Sequence, residues 1–83
     1  MDKLVSEAKT AFAQGKEILL IADLLEGCDN DPRRRMFIAS RISGNSFVGK
    51  SVSGNNDVSF PFIRCRRANL SEASLLDQPV LVH

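Results

Sequence analysis

The chain has 83 residues, 43% of them hydrophobic, and a formal net charge of +1. That length fits a single domain, residues 1–83, burying only about 60–65% of the surface its unfolded form exposes. Two cysteines, Cys28 and Cys65, and one histidine, His83, supply neither a disulfide framework nor a metal set, and no apolar run approaches the ~20 residues needed to cross a bilayer.

With no secretory signal ahead of Cys28, the chain reads as cytoplasmic. Its small charge hides a strong segregation. Residues 1–32 sum to −4, residues 33–69 to +7 and residues 70–83 to −2. Such a pattern points to a surface for an anion or an acidic partner, or to contact between subunits. Internal pairing is the alternative, since Glu26, Asp29 and Asp31 lie close to the Arg33–Arg35 run.

In chain order, Asp2 to Gln14 comes first. Leu4, Val5, Ala8, Ala11 and Phe12 recur with helical spacing against Asp2, Lys3, Glu7, Lys9 and Gln14, which predicts an amphipathic helix ended by Gly15. Lys16 to Glu26 holds the continuous run Ile18 to Leu25. Flanking glycines and the β-branched Ile18 and Ile21 favour a strand, Leu and Ala favour a helix, and the strand is the reading adopted. Cys28 to Pro32 then reads as a loop of turn formers.

Arg34 to Ser43 alternates, placing Met36, Ile38 and Ile42 on one face and Arg35, Phe37, Ala39 and Arg41 on the other. Gly44-Asn45 is a two-residue hairpin signal. Ser46 to Ser53 continues with Val48, Lys50 and Val52 opposite Phe47, Gly49 and Ser51. After the turn Gly54 to Asp57, a third strand runs from Val58 to Ala68. Its phase flips beside Pro61, predicting a bulge or bend there. Asn69-Leu70-Ser71-Glu72 has capping-box spacing and predicts a short helical turn over Leu70 to Leu76, followed by a last edge strand, Val80 to Val82.

The assembled expectation is α+β: an N-terminal amphipathic helix followed by a small, strongly bent antiparallel sheet, or an SH3/Sm-like barrel, of about five strands. The comparison is one of architecture and carries little about function.

The chemistry search is largely negative. The sole histidine is the last residue, so no positioned base or Ser/His/Asp triad is expected. Asp29 and Asp31 sit in a turn without the burial an acid catalyst needs. Cys28 lies near Arg33–Arg35, which could favour a thiolate, but an uncoupled cysteine usually fills space. Gly44 to Ser51 matches the phosphate-loop pattern in full. It lacks the helix that should start at Lys50 and the doubly wound domain around it, so it reads as a hairpin. No enzyme, metal or cofactor is expected.

What remains is a basic face. The candidate contact residues are Arg33, Arg34, Arg35, Arg41, Arg64, Arg66 and Arg67, with Phe37 on the strand face of Arg35 and Arg41, where it could stack a base. The adopted reading is a non-enzymatic module binding a protein partner or copies of itself as a homo-oligomer. RNA or single-stranded DNA is the alternative partner, weakened by the absence of Trp and Tyr and by a pI of about 7.8.

Overall fold

The computed structural model describes residues 2–23, 31–52 and 57–76. Helix α1, Asp2–Ala13, sets its apolar stripe on the sheet and buries Ala8 completely. Gly15 ends it with φ of 74°. Its N–H reaches the Phe12 carbonyl at 3.0 Å and the Lys16 N–H reaches Ala11 at 2.9 Å, the paired bonds of a Schellman stop.

Five antiparallel strands follow in the spatial order β4-β3-β2-β1-β5: β1 Ile18–Ala22, β2 Met36–Ser43, β3 Ser46–Ser51, β4 Asp57–Pro61 and β5 Cys65–Arg67. The Ile18–Ala22 segment is therefore a strand, paired on both sides and buried at four of its five positions. Together they make an α+β fold with an N-terminal helix. The sheet is open, with β4 and β5 at its two ends.

The β2–β3 hairpin turns at Gly44, whose φ of 58° supplies the left-handed position that tight hairpin turns require. The phosphate-loop look-alike folds as this hairpin: Gly49 and Lys50 are consecutive residues of β3.

Three local expectations are corrected. Residues 32–35 form a one-turn helix, α2 (Pro32–Arg35), instead of loop running into strand at Arg34. Asp31 caps it by accepting the Arg33 N–H at 3.0 Å, and Pro32 sits where a missing N–H costs nothing. The expected strand Val58 to Ala68 is two strands. Beside Pro61 the chain makes a 3-10 turn, Phe62–Arg64, and β5 leaves it to pair with β1. The third correction concerns β2, whose register with β3 shifts between Ala39 and Arg41. The extra residue, Ser40, makes a bulge that inverts the alternation beyond it. Ile42 thus joins Phe37 and Ala39, while Arg41 falls on the face of Met36 and Ile38. The helical turn after Asn69 is present as α3, Leu70–Ala73, continued by a 3-10 turn Ser74–Leu76. The proposed last strand, Val80 to Val82, lies outside the described residues, as do Glu26, Cys28, Asp29 and His83.

The core lies between α1 and one sheet face. Leu20, Phe37, Ala39 and Phe47 are fully buried there, with Ile18, Ala22 and Cys65 close behind. Phe37 stacks on Phe60 with ring centres 3.8 Å apart, and Phe47 meets Phe62 edge-on at 4.8 Å. Each such pair adds about 0.5–1.5 kcal/mol beyond the area it buries. On the opposite face the register partners Ile21 and Met36 are also fully buried.

Candidate interaction surface

The strand alternation and the two short helices divide the arginine set. Arg66 shares a sheet face with Ile21, its register partner, and Arg67 takes the α1 side with Leu20. The two neighbours therefore point to opposite sides of the sheet. Arg67 pairs with Glu7 of α1.

Arg66 belongs to a four-member cluster. Its two terminal nitrogens donate to the Glu72 carboxylate at 2.7 and 2.6 Å, a two-pronged contact, and its Nε lies 3.7 Å from Asp23. Asp23 also meets Arg35 at 3.5 Å. Two cations and two anions thus alternate from α2 across the β1 end to α3.

Glu72 has a second role: its Oε1 accepts the Asn69 N–H at 2.9 Å while Asn69 Oδ1 accepts the Glu72 N–H at 2.8 Å, closing the capping box of α3. Hydrogen bonding from Arg66 first, with the Asn69 N–H and the charges of Arg66 and Arg35 adding to it, lowers the Glu72 carboxyl to about 2 against the opposing effect of burial. The Arg35 guanidinium is mostly buried, and its Nε is enclosed without a hydrogen-bond partner among the described residues.

Of the remaining candidates, Arg34 lies 3.9 Å from Asp31, a separation at which exposed charges attract weakly. Arg64 is exposed on the 3-10 turn, where its carbonyl accepts the Asp23 N–H. Arg33 is half-buried and Arg41 exposed. Among the described residues neither has an ion-pair partner. Phe37 is removed as a base-stacking residue. It is fully buried in the core, and the bulge puts it on the face opposite Arg41.

Arg41 shares its sheet face with Lys50. Lys50 is exposed and opposite Asp57 in the β3–β4 register, and both line a recess of about 120 Å³ with Glu17, Ile38 and Ser40. The two carboxylates there offset the single lysine.

Among the described residues, neutralisation of the basic segment comes from Glu7 and Asp23, remote in sequence, and from Glu72 and Asp31, which lie nearer their partners. The capping-box spacing was a readable signal for Glu72. Nothing local marks Asp23 or Glu7, because sheet order alone brings them to β5 and α2. Among the described residues, no three His, Cys, Asp or Glu side chains gather as a metal site would need, and no helix is long and apolar enough to cross a membrane.

Cys65 is free and buried, donating its S–H to the Pro61 carbonyl at 3.0 Å. Burial pushes its thiol up to about 11, so it is protonated at neutral pH.

No protein-family model, curated protein or solved structure matches this chain.

Proposed function

We propose that this chain is a non-enzymatic binding module that works through protein–protein contact, including self-association. The observation that carries this reading is the open sheet. β4 ends it with exposed Asp57, Ser59 and Pro61 and half-buried Val58 and Phe60, so among the described residues one side of its backbone is unpaired within the sheet. An added strand from another chain satisfies those groups, with Val58 and Phe60 setting the register. Asp57 and Pro61 at its ends confine such pairing to the middle of the strand.

The order of elements supports the finer architectural reading as well. A helix, four consecutive antiparallel strands, a single 3-10 turn and a fifth strand returning beside β1 is the layout of an SH3- or Sm-like small barrel. In this chain β4 and β5 lie at opposite ends of the sheet. A cytoplasmic setting suits the free, protonated Cys65.

The basic segment tunes this contact more than it forms a single anion-binding face, because Arg34, Arg35, Arg66 and Arg67 each have a carboxylate partner. Arg33 and Arg41 favour the second reading, a single-stranded nucleic acid as partner.

Two measurements separate the readings. Light scattering of the Ser59→Pro variant, which removes a β4 donor, is expected to show loss of higher-mass species or of a captured strand peptide while circular dichroism stays unchanged. Unchanged association would overturn the edge-strand reading. An oligonucleotide shift assay at low salt should show no complex; a complex lost steeply as salt rises would favour nucleic acid.

A further inference from the structure

A groove of about 700 Å³ lies beside α1. One wall is the helical stripe Asp2, Val5, Ser6 and Lys9; the other is Pro61 at the end of β4 with Phe62 and Ile63 of the 3-10 turn. The Phe62 N–H donates to the Asn45 carbonyl at 3.2 Å, tying that wall to the β2–β3 turn. Ile63 stands 79% exposed at the groove and extends its apolar wall; Leu70 of α3 is exposed as well, away from it.

We propose that the groove receives a second copy of the chain, with α1 packing antiparallel on its counterpart about a two-fold axis between Val5 and Ser6. The charges on the stripe carry this choice of occupant. Asp2 and Lys9 are seven residues apart, about 10 Å along a helix and on one side of it. They are equidistant from the Val5–Ser6 midpoint. A two-fold rotation there sets each Asp2 opposite Lys9 of the partner subunit, twice, as a self-complementary interface requires. Neither Asp2 nor Lys9 has an ion-pair partner among the described residues. Ser6 at the crossing point permits the 8–10 Å axial approach of packed helices, and Ile63 closes over the apolar side of the contact.

This inference deepens the protein-contact reading by naming the partner. It does not depend on the β4 edge. Sedimentation equilibrium of the full chain up to about 100 μM tests it, a range in which a small interface of this kind saturates. In the Ser59→Pro background, where the β4 edge is blocked, the expected result is a monomer–dimer equilibrium without larger species. Asp2→Lys or Lys9→Asp should each weaken it about tenfold or more, because both ion pairs become repulsions. The double exchange Asp2→Lys/Lys9→Asp should restore it. Ile63→Ser should abolish the dimer while leaving the circular dichroism unchanged, since Ile63 contributes little buried surface to the fold. A wild-type chain that stays monomeric would overturn the inference and leave contact with other proteins standing. A double exchange no better than either single would also overturn it. So would a dimer lost in Ser59→Pro but indifferent to Lys9→Asp, which would instead assign self-association to the sheet edge.

Discussion

The two faces of the sheet solve the same problem with different chemistry. Against α1, the strands present Ile18, Leu20, Phe37, Ala39, Phe47 and Cys65, a continuous apolar layer. The opposite face buries Ile21 and Met36 at one end and borders them with the Arg35–Asp23–Arg66–Glu72 cluster, while its other end leaves Arg41 and Lys50 in water. Burial of apolar area is nondirectional and tolerates approximate fit. The charged cluster depends on a few contacts whose geometry must hold. Stability therefore resides mainly on the first face, and sensitivity to solution conditions on the second.

The sharpest way to break this division is Phe37→Ala. It removes a fully buried ring and its stack on Phe60, at a cost of about 3–5 kcal/mol. A domain of this size has on the order of 4–12 kcal/mol in all, so urea unfolding should begin at little or no denaturant. A midpoint close to wild type would mean the α1 face is not the main source of stability.

Gly49→Ala should come next, at about 1–3 kcal/mol. A Cβ there would fall 2.0 Å from the Ile38 carbonyl oxygen and 2.7 Å from the Ala39 Cα, and neither backbone atom can yield as a side-chain tip would. Thermal unfolding reads this directly.

Glu72→Gln tests the other face. Its cost near neutral pH is about 1 kcal/mol, since Arg66 is 40% exposed and water screens much of the pairing. The clearer readout is pH dependence. Because folding lowers the Glu72 carboxyl from 4.5 to about 2, its contribution is fully present above about pH 4.5 and fades as pH falls towards and through 2. Wild type should lose stability across that window, and the variant should lack this share of the slope. Identical acid profiles would remove the cluster from the account.

Arg41→Ala is the smallest change, within about 0.5 kcal/mol by chemical denaturation, because the side chain is exposed and has no ion-pair partner among the described residues.

Features set by neighbours in sequence were readable in advance. The helix ended by Gly15, the Gly44-Asn45 hairpin and the Asn69–Glu72 capping box each depend on residues within five positions of one another, and each is present. The identity of β1 was harder, because a short apolar run satisfies strand and helix alike until its neighbours are known; pairing with β2 and β5 decides it. The bulge at Ser40 left no periodic signal, since Met36 to Ser43 alternates plausibly in either phase. That concealed inversion is why simple alternation sets Phe37 and Arg41 on one face. The pairing of Arg66 and Arg67 with Asp23, Glu72 and Glu7 was hidden for a related reason: it depends on which strand lies beside which, a property of the sheet order.

The extra residue at Ser40 also decides how this strand answers a change in length. Deleting Ser40 would leave Ala39, Arg41 and Ile42 in simple alternation, the isoleucine still towards α1 and the guanidinium still away from it. Straightening the strand with Ser40 kept would do the reverse, turning the guanidinium towards α1 and the isoleucine towards water. Room for one looped-out residue is thus what lets this segment carry its side chains on the correct sides.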